Sequence, residues 1–119
     1  MSTSYDPSCI FCRVVAGEVP STGEYSSGLV YAFADLHPVA PVHVLVVPRQ
    51  HIADASKVTL EHGAMLVEML EAARAVAEHH GISESGYRLV FNVGADSGAE
   101  VPHLHMHVLG GRRLGWPPG

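Results

Sequence analysis

The sequence predicts an α+β domain built on an antiparallel sheet. Three observations carry that expectation: five short strand-like runs, hairpin turns joining them, and one long stretch of helical periodicity over 59–80. With 119 residues, the chain has the length of one domain with one real core, and 1–119 is expected to form a single unit.

The elements follow in order. CIFCRVVAG (9–17) reads as a short amphipathic helix stopped by Gly17 and Pro20. GEYSSGLVYAFAD reads as a hairpin turning at Ser27-Gly28, with strands at Tyr25 and at Val30 to Phe33. Two prolines make HPVAP (37–41) a loop, and VHVLVVP (42–48) is a β-branched strand ended by Pro48. The long helix over 59–80 takes Thr59 as its N-cap and stops at Gly81. Leu66, Met69, Leu70, Ala73, Val76 and Ala77 fall at helical spacing along it. YRLVFNV (87–93) is a further strand, GADSGAE (94–100) a loop, HLHMHVL (103–109) the last strand, and GGRRLGWPPG a loop-like tail. Pro102, which has no N–H, fits only at the start or edge of that last strand.

Composition excludes several classes. Hydrophobic residues make up 47% and charged residues 16%, ordinary for a globular protein. No apolar run approaches the ~20 residues that span a bilayer, so no membrane association is expected. The N-terminus MSTSYDPSC lacks the basic and apolar regions of a secretory signal, so a cytoplasmic protein is expected, its first seven or so residues flexible. A net charge of −5 argues against a general nucleic-acid binder, and any anionic ligand must be held by local groups.

HLHMHVL is the most informative stretch. Period-two alternation puts His103, His105 and His107 on one face of a strand, with Leu104, Met106 and Val108 on the core face. Same-face neighbours on a strand lie about 6.8 Å apart, so the outer two histidines lie about 13 Å apart. That is too far for all three to ligate one ion at ~2 Å. A face of imidazoles suited to holding and attacking a phosphate remains. His43 opens a strand and His51 follows it, and neither position needs a histidine for packing. His37, His62, His79 and His80 read instead as loop, helix-end or solvated residues. Cys9 and Cys12 form one C-x-x-C pair, which alone fits half a zinc site, a redox pair or nothing.

HLHMHVL resembles the histidine-triad (HIT) signature of nucleotide hydrolases and transferases. CIFCRVVAGEVP, YAFADLHPVAPVHVLVVPRQHI, GYRLVFNVG and LGGRRLGWPPG fall in the order found in that family, and the similarity is greatest to its Hint-type nucleoside phosphoramidases. The resemblance implies a five-stranded antiparallel sheet with one long and one short helix. It implies a homodimer with a continuous ten-stranded sheet. The substrate would be a purine nucleoside monophosphate joined to an amine through a P–N bond.

Residue by residue, the resemblance makes His105 the nucleophile, its far nitrogen held by a backbone carbonyl. His107 and His43 flank the phosphate, and backbone N–H groups of the loop from Gly98 through Glu100 to Val101 complete the anion site. Asp35 matches the carboxylate that binds the ribose hydroxyls. Ile10, Phe11, Phe33, Leu36 and Leu45 match the base pocket, although plain core packing accounts for such residues too. Asn92 matches the asparagine of the phosphoramidase branch, where dinucleoside-polyphosphate hydrolases usually carry Gln. Glu100 stands where the family commonly has Ser, which puts the preferred leaving group in question; an acid there would favour a cationic amine. Trp116 matches a tail that approaches the partner's active site. Members with a structural zinc bind it through positions matching Cys9, Cys12, His51 and His103, a complete tetrahedral set here. The alternatives are a dinucleoside-polyphosphate hydrolase or nucleotidyl transferase, and a nucleotide-binding module with little turnover.

Overall fold

A computed structural model describes residues 4–99 and 101–119. Helix α1 (Ile10–Val15) leads into the hairpin β1 (Gly23–Ser26) and β2 (Val30–Ala34). Strand β3 (Val42–Pro48), the long helix α2 (Gly63–His79), β4 (Tyr87–Phe91) and β5 (Met106–Gly110) follow. The strands form one five-stranded sheet in the order β1-β2-β3-β5-β4, antiparallel at every junction. This is the expected α+β architecture with one long and one short helix. No helix among the described residues is long and apolar enough to cross a membrane.

The central strand β3 is buried at every position, because both faces of the sheet are covered. Val42, Val44 and Val46 meet Met65, Met69, Ala72, Ala73, Val76 and Ala77 of α2 in one core. Leu45 and Val47, on the other face, pack with Phe11, Cys12 and Val14 of α1 in a second. Leu104, Met106 and Val108 join the α2 side, as the alternation in HLHMHVL requires. The triad is therefore on the face that α1 covers only in part. Gly110 closes the other end of β5: a Cβ there would come within 2.6 Å of Ile82 Cδ1.

Three boundaries differ from the sequence expectation. Strand β5 begins at Met106, so His103 and His105 precede the paired strand; their backbone groups serve other partners, described below. Helix α2 begins at Gly63. Thr59 caps a separate 3-10 turn, Leu60–His62, in which the His62 ring accepts the Thr59 N–H at 2.9 Å. Strand β4 ends at Phe91, which frees Asn92 for the site. His80 is more than a solvated helix end, since its Nε2 lies 2.7 Å from Glu24 Oε1 and ties α2 to β1. Residues 1–3, part of the segment expected to be flexible, lie outside the described residues. Tyr5 donates to Glu18 at 2.6 Å.

Candidate active site and metal-donor cluster

Two groups of side chains meet at the start of β5. In the first, antiparallel pairing of β3 with β5 sets His43 opposite Leu109 and Leu45 opposite His107. His43 and His107 thereby become diagonal neighbours, with His43 Nε2 at 2.8 Å from His107 Nδ1. Asp35, just past β2, brings Oδ2 to 3.3 Å from the same His43 nitrogen. Its Oδ1 accepts the His37 N–H at 2.8 Å, a turn that holds the carboxylate in place.

Hydrogen-bond partners settle the tautomers. Val39 N–H donates to His43 Nδ1 at 3.1 Å, so the proton of neutral His43 is on Nε2. That proton points at His107 Nδ1, which leaves His107 carrying an Nε2–H. His105 Nδ1–H donates to the His103 carbonyl at 2.7 Å, so its Nε2 keeps a lone pair. A nucleophilic nitrogen and an N–H donor thus occupy neighbouring rings, centroids 5.0 Å apart. Burial lowers the pKa of His43, opposed by the Asp35 carboxylate. Burial, reinforced by His105 and His43, lowers that of His107 to about 4. Both rings are neutral near pH 7. Asp35, His43 and His107 also lie close enough together for one cation to reach all three. The tautomer argues against that use, because while Val39 N–H occupies Nδ1 the His43 Nε2 has a proton and no lone pair to offer.

A cavity of about 160 Å³ opens over these rings, lined by Phe11, Asp35, Leu45, Asn92, Gly98, Ala99, Val101, His105 and His107. It gathers most of the expected nucleotide residues. Phe33 is not among its lining residues; it is buried, edge-on to Phe11 at 5.6 Å. Ile10 and Leu36 are not among its lining residues and are 42% and 85% exposed; they follow the helix face and the loop they sit on. Glu100 lies outside the described residues. Trp116 is 81% exposed and stands off this cavity, with Arg88 over its ring. A larger cavity of about 370 Å³ shares Asn92, Ala99, Val101 and His105 with the first. Asp54 is the one carboxylate among its described lining residues, and Ser56 holds it ionised through side-chain and backbone hydrogen bonds. Sequence reasoning passed over Asp54; its only signal was an Asp-x-Ser turn cap.

The second group is Cys9, Cys12, His51 and His103, all donor atoms within 4.8 Å of one another. His103 Nδ1 lies 3.3 Å from Cys9 Sγ, 3.6 Å from Cys12 Sγ and 3.2 Å from His51 Nδ1, and Cys12 Sγ lies 3.3 Å from His51 Nδ1. A tetrahedral zinc ion would require about 3.3 Å between nitrogens and about 3.6 Å between sulfur and nitrogen. The donor set therefore fits the ion. His103 Nε2–H donates to the Pro48 carbonyl at 3.0 Å, which turns the Nδ1 lone pair toward the cluster. Burial lowers the His103 pKa to about 4, the neutral form a ligand needs. Both cysteines are free and buried, and Cys9 Sγ caps α1 by accepting the Cys12 N–H.

Most of the chain superimposes on known structures. A HIT family hydrolase from Legionella pneumophila matches with TM-score 0.91 at 44% identity, over 93% of this chain and 99% of that one. The HIT domain model matches residues 16–114, and the chain belongs to that family. The purine nucleoside phosphoramidase of Escherichia coli is 44% identical over 106 residues, 89% of each chain. A 14 kDa zinc-binding protein from Zea mays is 39% identical over 116 residues, 96% of this chain and 90% of that one.

Proposed function

We propose that this chain hydrolyses the P–N bond of purine nucleoside 5′-phosphoramidates through a nucleotidyl-histidine intermediate. The observation that carries the reading is the 2.7 Å bond from His105 Nδ1–H to the His103 carbonyl, which frees Nε2 for attack. His105 Nε2 attacks phosphorus, the P–N bond breaks, and the amine leaves after taking up a proton from solvent. Water then attacks phosphorus and gives up a proton to solvent, the bond to His105 breaks, and the nucleoside monophosphate departs. His107 Nε2–H donates to a phosphate oxygen as charge builds there, while His43 keeps His107 in that tautomer. Asp35 receives the ribose hydroxyls, and Phe11, Leu45 and Val101 enclose the base. Asn92, Gly98, Ala99 and Val101, which line the same cavity, face the phosphate in this reading. The 44% identity to a purine nucleoside phosphoramidase supports the substrate class.

The Cys9, Cys12, His51 and His103 donors hold a zinc ion in this reading. A closed set of four protein ligands leaves zinc no open position for substrate, so its contribution is structural. A homodimer is also proposed. It is supported by the outer edge of β4, unpaired among the described residues, and by exposed apolar residues on two elements, Leu89 on β4 and Val67 and Leu70 on α2. The deciding experiment is turnover on a panel of AMP-amine, diadenosine-polyphosphate and acyl-AMP substrates. AMP-amines should lead; a ranking led by diadenosine polyphosphates replaces this reading with the polyphosphate-hydrolase one.

A further inference from the structure

The two groups of side chains share one residue, and through it one peptide. His103 contributes its ring to the donor cluster and its carbonyl to the nucleophile, with His105 Nδ1–H on that oxygen at 2.7 Å. The other side of the same peptide is the Leu104 N–H, which donates to the Ile52 carbonyl at 2.6 Å. This peptide lies before β5 begins, so no sheet ladder aligns it. Leu104 anchors one side of it in the α2 core, and the donor cluster anchors the other. His103 is fully buried between Pro48 and the cysteines. On the opposing segment, Ile52 directly follows the donor His51. An ion bound by the four donors would therefore pin both hydrogen-bonded segments at once, 48–52 and 103–104.

We propose that His103 is a positioning residue that couples metal loading to the aim of the nucleophile. With the four donors bound to metal, the His103–Leu104 peptide is locked and His105 Nε2 points into the nucleotide cavity. Without metal the carbonyl moves, the His105 ring loses its fixed tautomer, and turnover falls while the nucleotide pocket persists. The inference rests on His105 being the nucleophile, as proposed above.

The test compares Zn2+-loaded and chelator-treated protein, together with Cys9→Ser and His51→Gln. Serine keeps a capping acceptor at the start of α1, so Cys9→Ser loosens metal binding without uncapping the helix. The first readout needs no substrate: 15N NMR of the histidine rings. A protected His105 Nδ1–H signal is expected with metal and should exchange with water without it. The second readout is kinetic. kcat should drop roughly ten- to hundredfold, the scale of a misplaced reacting group, with KM changed less than about threefold, since Asp35, Leu45 and Val101 are not donors. Restoring Zn2+ should restore both. Metal-free, folded protein that keeps the protected signal and full kcat overturns the proposal. If metal removal unfolds the chain, His51→Gln is titrated with Zn2+ below its melting temperature. Signal and kcat must then rise together with occupancy, and flat traces overturn the proposal as well. A loaded protein that turns over no phosphoramidate would remove the functional reading, while the NMR comparison would still decide the coupling.

Discussion

Replacing His43 by alanine separates holding a tautomer from attacking phosphorus. His43 is 7% exposed, accepts from Val39 N–H at 3.1 Å and faces His107 Nδ1 at 2.8 Å, with Asp35 Oδ2 3.3 Å from the same ring nitrogen. Truncation removes both hydrogen bonds, at a net cost of about 0.5–1.5 kcal/mol each, plus the cavity the ring leaves. A stability loss of about 2–4 kcal/mol follows. The catalytic effect has a different origin. His107 stays in β5, but nothing biases its proton to Nε2, so the donor aimed at phosphate is present only part of the time and poorly aligned. A full oxyanion donor is worth about 10²–10³ in rate. Because the ring remains, the expected loss in kcat is about 10²-fold, smaller than that for the nucleophile. The assay is steady-state hydrolysis of an AMP conjugate of a fluorescent amine, with a denaturant melt on the same sample. His43→Ala within threefold of wild-type kcat would refute the tautomer argument. So would a loss as deep as that of His105→Ala in a protein that still binds AMP.

Four further outcomes are expected. His105→Ala should lose at least ~10³-fold in turnover yet bind AMP within about threefold of wild type by calorimetry, because Asp35 and the apolar pocket remain; retention of a tenth of the activity would end the nucleophile assignment. Elemental analysis should find about one zinc per chain, and the double change Cys9→Ser with Cys12→Ser should lower the melting temperature, since metal-binding energy is folding energy; unaltered melting of metal-free protein would dismiss the ion. Stability should fall as pH drops from about 6.5 toward 4. His107 resists protonation in the fold down to about 4, while the unfolded chain takes up the proton near 6.5, so the unfolded state binds more protons throughout that window. His107→Asn should make the acid slope of the melting temperature shallower, and an unchanged slope contradicts the assignment. Asp54→Asn keeps an N-cap side chain but removes the only carboxylate described in the larger cavity. It should lower kcat/KM for AMP conjugates of diamines relative to those of neutral alkylamines, and a constant ratio would show that Asp54 does not read the leaving group.

Some of this molecule was written in local pattern. Alternation in HLHMHVL placed Leu104, Met106 and Val108 in the core because a strand sends successive side chains to opposite faces. Helical spacing put Met69, Ala73, Val76 and Ala77 on one buried stripe for a similarly local reason. The family, the sheet and the grouping of Cys9, Cys12, His51 and His103 were legible once the motifs were read together. Other features depend on chain segments that sequence cannot place side by side. The His43 tautomer depends on Val39 N–H, a backbone group that any residue there would supply. The end of strand pairing ahead of Met106 is a competition between ladder bonds and the bonds from Leu104 to Ile52 and from His105 to the His103 carbonyl. The sharing of one peptide by the metal donors and the nucleophile arises only when residues 48–52 and 103–105 meet in space. Local propensity acts over a few residues, whereas the bonds from Leu104 to Ile52 and from His103 to Pro48 join groups some fifty positions apart, and only the folded chain brings them within reach.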